Sequence, residues 1–154
     1  MDSTLIKEED LQIHQDKLES ILTNHEKWLQ SNGEEGEQAK LEGIILRGRD
    51  LSGVNLEQAD LTLACLEGTN LSNTNLKGAN LILASLKRAN LTSANLQGAN
   101  LDSTKLNEAN LQNANLNSAN LVWCDLSNAN LERANFKNVV LDHACLDGVQ
   151  GNFI

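Results

Sequence analysis

Apolar positions recur along this chain every five residues. Leucine stands at 41, 46, 51, 56 and each fifth position through 131, followed by Phe136, Leu141 and Leu146, without a change of register. Two residues before most central positions lies a small side chain, as at Ala59, Ala64, Thr69, Thr74, Ala79 and Ala84. The residue between the two is mostly Asn or Asp, as in Ala89-Asn90-Leu91. A period of five matches neither the 3.6-residue helix nor the two-residue strand alternation. Within a pentad, however, the small residue and the Leu are two apart, so an extended backbone turns both to one side and the Asn to the other. The two remaining residues, such as Ser72-Asn73 or Lys77-Gly78, are polar and turn-prone. Each pentad therefore predicts one short wall and one corner. Walls in succession must close around a Leu and Ala interior.

A slower beat sets the number of walls. Between Asp50 and Asn135 the residue before the Leu is Asn or Asp except at Cys65, Ser85 and Lys105, which lie 20 residues apart, and Ile45 and Cys145 extend that column. Leu63, Leu83 and Trp123 keep the same spacing on the preceding corner. Four pentads then make one coil. The expected fold is mainly β, a four-sided β-solenoid of about 5.5 coils stacked at ~4.8 Å, roughly 26 Å tall.

Residues 1–31 change to helical spacing, with Leu11, His14, Leu18, Ile21, Leu22, His25, Trp28 and Leu29 recurring at threes and fours. Thr23 with Glu26 forms a capping-box pattern that predicts a break. The reading is one helix over 5–22 and a short second over 24–31, stopped by Asn32-Gly33. The Gly-Glu-Glu-Gly run at 33–36 reads as a hinge. The chain thus divides into an N-terminal helical cap over 1–38 and a solenoid over 39–154. An open solenoid end exposes unpaired backbone and leucine tops, and repeat arrays need caps. The short helix, presenting Trp28 and Leu29, is expected to cover the first coil; Val149, Phe153 and Ile154 are expected to fold back as a plug at the other end. The longer helix would span about 27 Å at 1.5 Å per residue, close to the height of the tower.

The run A(N/D)Lxx, as at Ala94-Asn95-Leu96 and Ala119-Asn120-Leu121, resembles the pentapeptide-repeat proteins, and the resemblance covers 39–146. It implies a right-handed quadrilateral β-solenoid with the Leu and the small residue inside; the handedness rests on the resemblance alone. The lead-in His25-Glu26-Lys27-Trp28-Leu29, running through Ser31, Gly33 and Gly36, is similar to that of many members, notably cyanobacterial ones.

Charge and composition narrow the function. Aromatic residues make up 3% of the chain, so the core rests on leucine. The net charge of −9 is concentrated at the N-terminus: residues 1–38 hold ten acidic and three basic side chains, residues 39–154 eleven and nine. A nearly balanced tower without a basic patch argues against direct nucleic-acid binding. No segment approaches the ~18 apolar residues of a membrane helix. The acidic start (Glu8, Glu9, Asp10) lacks the layout of a signal peptide, so a cytoplasmic protein without membrane contact is expected. Three cysteines give no disulfide framework. Cys65 and Cys145 share a column four coils apart, beyond the ~7 Å reach of a disulfide. Cys124 takes an inward small-residue slot as a compact apolar filler.

A solenoid filled by Leu and Ala offers no cleft for catalysis. His14 and His25 belong to the helical stripe, and Asp142-His143-Ala144-Cys145 lacks the recurring ligand spacing of a zinc site. No catalytic, cofactor-binding or metal-ligating residue is expected. The polar exterior fails at one ridge, formed by Ile45, Leu63, Ile82, Leu83, Val122 and Trp123 and interrupted by Ser103 and Lys105. A contiguous apolar patch marks something the protein touches. Three occupants fit: the longer N-terminal helix, a second copy in a homodimer, or an unidentified partner protein with Trp123 as its hot spot. The expected function is a non-enzymatic structural or protein-interaction module, monomeric or homodimeric. The alternative that the resemblance implies is a DNA-mimic regulator of a type II topoisomerase (gyrase), a role in which members often dimerise through a C-terminal element. The small charge of this tower and its uninterrupted coils depart from that pattern.

Overall fold

The computed structural model describes residues 15–152, with Asp16 described by its backbone alone. Within each pentad the corner is a β-turn closed by the N–H of the small residue on the preceding Leu carbonyl, 3.0 Å for Ala59 on Leu56 and for Ala79 on Leu76. The third residue of every such turn takes a left-handed φ, 57° at Asn73 and 63° at Gly78. That geometry explains why Gly and Asn recur there.

Successive turns of the chain are joined by a ladder of fixed register. The residue before each Leu forms a parallel bridge with the residue 20 further on, from Lys40–Asp60 to Asn130–Gln150. The Leu71 N–H donates forward to the Asn90 carbonyl at 2.7 Å, and the Asn90 N–H donates back to the Thr69 carbonyl at 3.0 Å. The chain is therefore a β-solenoid in the predicted register. Its β character consists of single bridged residues; among the described residues none lengthens into a strand, because a corner follows every wall.

The interior is a stack of leucine and alanine sealed from solvent: the central leucines at every fifth position from Leu61 to Leu131 are each 0% exposed. Where Thr replaces Ala, its hydroxyl donates to a carbonyl of the preceding coil: Thr69 to Leu46 at 2.8 Å, Thr74 to Leu51 at 2.9 Å and Thr104 to Leu81 at 2.7 Å. These buried hydroxyls are thus paired. Cys124 fills its slot with Sγ 3.1 Å from the Thr104 carbonyl, and burial, with Asp125 and Asp102 nearby, pushes its thiol up to about 12. Outside, the Asn side chains do two things at once. Asn95 Oδ1 accepts the Gln97 N–H at 3.2 Å, and Asn95 Nδ2 donates to Asn75 Oδ1 at 3.3 Å. The same amide ladder joins Asn115 to Asn95 and Asn135 to Asn115.

The N-terminal segment departs from its reading. One helix, α1 (Gln15–Gln30), runs unbroken through the predicted break at 22–24. Thr23 Oγ1 donates to the Glu19 carbonyl at 2.8 Å, within the helix, so the side chain that suggested a cap is engaged by the preceding turn. The stop falls where predicted: Asn32 has φ 54°, and the Gly33 N–H donates to the Trp28 carbonyl at 2.8 Å. The predicted helix start over 5–14, and Phe153 and Ile154 of the predicted plug, lie outside the described residues. Val149 continues the coil, and Gln150 bridges Asn130.

The predicted hinge at 33–36 is a packed return. Gly36 has φ 74°, and a Cβ there would run into the Asn24 carbonyl and lie 2.8 Å from Trp28 N. The Glu37 N–H donates to the Asn24 carbonyl at 3.2 Å, and the Glu35 N–H to Ser31 Oγ at 2.8 Å. This return lays α1 against the first coil. Leu18 joins the core, and Ile21 and Leu22 pack on it together with Val54. Arg49 Nη1 donates to Gln15 Oε1 at 2.9 Å. In the last described coil, by contrast, Phe136, Leu141 and Leu146 are only partly buried.

Candidate interaction surface

Five of the predicted ridge residues, Leu63, Ile82, Leu83, Val122 and Trp123, stand on one corner of the solenoid, and Ile45 stands on the adjoining wall, bridged to Cys65. The Leu63 N–H donates to the Ile82 carbonyl, and the Ser103 N–H to the Val122 carbonyl, so adjacent coils stack these turns directly. Leu63 and Leu83 are 53% and 54% exposed and Trp123 is 61% exposed, while Ile45, Ile82 and Val122 are half-buried beside them. Asp102 and Ser103 divide the patch. Trp123 is stacked on His143 of the next coil, with ring centroids 4.1 Å apart and planes within 12° of parallel.

The three exposed side chains stand at left-handed turn positions, with φ 59° at Leu63, 59° at Leu83 and 56° at Trp123. An L-residue costs roughly 1–2 kcal/mol in that conformation, which Gly avoids. Gly43 occupies the equivalent place one coil earlier. Such a corner is served at less cost by Gly, as at Gly43, or by Asn, as at Asn73.

The described part of the N-terminal helix does not cover this ridge. α1 lies across the first coil, where Arg49 and Asn55 bond to it, Leu18 joins the core with Ile21, Leu22 and Val54 packed against it, and His25 accepts the Ala39 N–H. Trp28 and Leu29, the predicted contacts, are half-buried. The fully buried members of the stripe are Leu18 and His25, at 3% and 0% exposure. The readable signal was in the small-residue column, which carries three larger residues in a row, Ile44, Arg49 and Val54, in the first coil and is later broken only singly, at Val139 and Val149. Val140, 45% exposed, was also missed; it stands where the Asn and Asp run ends.

The outer faces carry charges of both signs, paired between coils. Arg47 lies 3.4 Å from Glu67 and Lys77 3.2 Å from Glu57. Arg88 Nε donates to Glu108 at 2.7 Å, holding that carboxyl below its ordinary range. Among the described residues no His, Cys, Asp or Glu cluster suits a metal ion, and no helix is long and apolar enough to cross a membrane.

The family model for pentapeptide repeats matches the chain in eight copies, over residues 37–68, 69–107, 84–121, 94–133 and 114–150. The chain belongs to the pentapeptide-repeat family. Among solved structures it is similar to the pentapeptide repeat protein alr5209 from Nostoc PCC 7120, at 33% identity and a TM-score of 0.55, over 70% of this chain and 81% of that one. It is similar also to the pentapeptide repeat protein Rfr23 from Cyanothece 51142, at 30% identity and a TM-score of 0.42, over 74% and 84%. A more distant likeness, at 18% identity and a TM-score of 0.42 over 71% and 62%, is to QnrB1, a plasmid-mediated fluoroquinolone resistance protein. The comparison with curated proteins finds no match.

Proposed function

We propose that this chain is a non-enzymatic structural and protein-interaction module: a right-handed quadrilateral solenoid of about 5.5 coils, capped by α1, whose apolar ridge receives another protein. The observation that carries this reading is the placement of Leu63, Leu83 and Trp123. Each is more than half exposed, and each stands at a left-handed position that Gly or Asn serves at less cost. Trp123, aligned by His143, supplies the rigid aromatic anchor typical of an interface hot spot. The rigid ladder behind the ridge means little ordering entropy is lost when a partner docks. The paired, mixed charges on the faces favour this reading over DNA mimicry, which needs a continuous acidic face.

The test compares the native chain with Leu63→Ser/Leu83→Ser/Trp123→Ser. Light scattering reads self-association, and cross-linking in the source cell reads foreign partners. A loss of dimer or of a defined cross-linked partner in the triple variant, with unfolding unchanged, supports the ridge. Identical mass and identical cross-links in both proteins overturn it.

A further inference from the structure

The junction between α1 and the first coil holds an imidazole with only one comfortable protonation state. His25 is 0% exposed, and its Nδ1 accepts the Ala39 N–H at 3.1 Å. With Nδ1 as acceptor, the ring proton belongs on Nε2. That nitrogen is buried and makes no hydrogen bond of good geometry, although the Glu57 backbone carbonyl is near enough to act on the ring. Trp28 stacks over the ring, with centroids 5.8 Å apart and planes within 13°.

The charged groups that act on the ring are Glu26 from α1 and Glu57 from the first coil. Their carboxylates, with the Glu57 backbone carbonyl, favour a charged imidazole; lost hydration outweighs them and holds His25 below the usual histidine range. A second proton could go only to Nδ1. There it would face the Ala39 N–H, donor against donor, at the first buried residue of the solenoid.

We propose that α1 is a detachable cover on the first coil, latched by the neutral imidazole of His25 on the Ala39 N–H, and that protonation of His25 releases it and uncovers the N-terminal end of the solenoid. Once released, the ring titrates in water near its ordinary value of 6.5. Above that pH it is neutral whether α1 is docked or free, and docking is independent of pH. Below it only the free state takes up the proton, so docking weakens about tenfold per pH unit until the lower docked-state value is reached. The surface uncovered is the apolar edge of Ile44, Leu51 and Val54, of the kind that recruits other chains.

The experiment uses the full chain carrying Trp123→Phe, which leaves Trp28 as the single tryptophan. Amide exchange over α1, Trp28 emission and the His25 ring resonances are followed from about pH 8 to about pH 5, the window in which histidine switches. The expected result is loss of α1 protection in step with His25 titration, while amides between Leu71 and Leu116 stay protected. His25→Asn, whose amide oxygen can accept the Ala39 N–H without titrating, should keep α1 docked throughout. The proposal is overturned if α1 stays protected across the range, or if it is released while His25 remains neutral. Release of His25→Asn at the same pH as the parent also overturns it, and would assign the effect to Glu26 and Glu57. Should His25→Asn fail to dock at any pH, the coincidence of release and His25 titration in the parent decides.

Discussion

Leu91 and His25 are both sealed from solvent, yet they are held by different means. Leu91 sits in a column of leucines, each joined to the next coil by the same pair of backbone hydrogen bonds, and its contacts are repeated along the tower. The His25 side chain makes one buried hydrogen bond, from the Ala39 N–H, and among the described residues that contact has no second copy. The solenoid spreads its stability over many equivalent contacts between neighbouring coils. The junction with α1 concentrates its stability in a few contacts that nothing else replaces. A repeat is thus robust along its length and selective at its end.

The comparison is sharpened first by Leu91→Ala. The ladder fixes the coils above and below, so the cavity cannot collapse, and a loss of about 3 kcal/mol is expected in urea unfolding. A loss under ~1 kcal/mol would mean that neighbouring coils do relax into the space. Next comes Gly36→Ala, which puts a Cβ at φ 74° against the backbone of α1. Docking should weaken by about 1–3 kcal/mol, the cost of such strain. Hydrogen exchange should then show α1 amides opening while those of the central coils are unaffected; uniform loss of protection would instead couple the two regions. Thr74→Val removes the hydroxyl that donates to Leu51, and roughly 1 kcal/mol should be lost in the unfolding free energy. Leu83→Ser relieves an exposed apolar group and should shift stability by less than ~0.5 kcal/mol, so any change in partner binding can be assigned to the surface. The smallest effect is expected at Cys124. A disulfide-exchange reagent should titrate Cys65 and Cys145 in the folded protein and reach Cys124 only on unfolding, since burial keeps that thiol protonated. Fast reaction of all three would show that the coil opens locally.

The difference between the two regions also explains what could be read in advance. The register, the interior and the ridge follow from spacing, because a contact that recurs with a fixed period leaves a column in the sequence. Cys65, Ser85 and Lys105 marked the length of a coil, and their bridges are those observed. The junction left no such column. Thr23 and Glu26 had the composition of a cap and the structure of a helix interior, because nothing local tells whether a Thr hydroxyl bonds forward or back. Gly36 was read as freedom and serves as close approach. Ile44, Arg49 and Val54, where the small column is broken, were the available sign that something covers the first coil.

The amino-acid sequence by itself determined the solenoid, since each pentad carries its own wall, corner and buried pair and neighbours need only repeat it. The tertiary structure alone decided that α1 runs unbroken across the first coil, that Leu18 and His25 are its buried members, and that His25 Nδ1 accepts the Ala39 N–H. These depend on single meetings of segments distant along the chain, and the free energy of such a meeting is set by the shape and polarity of both partners at once.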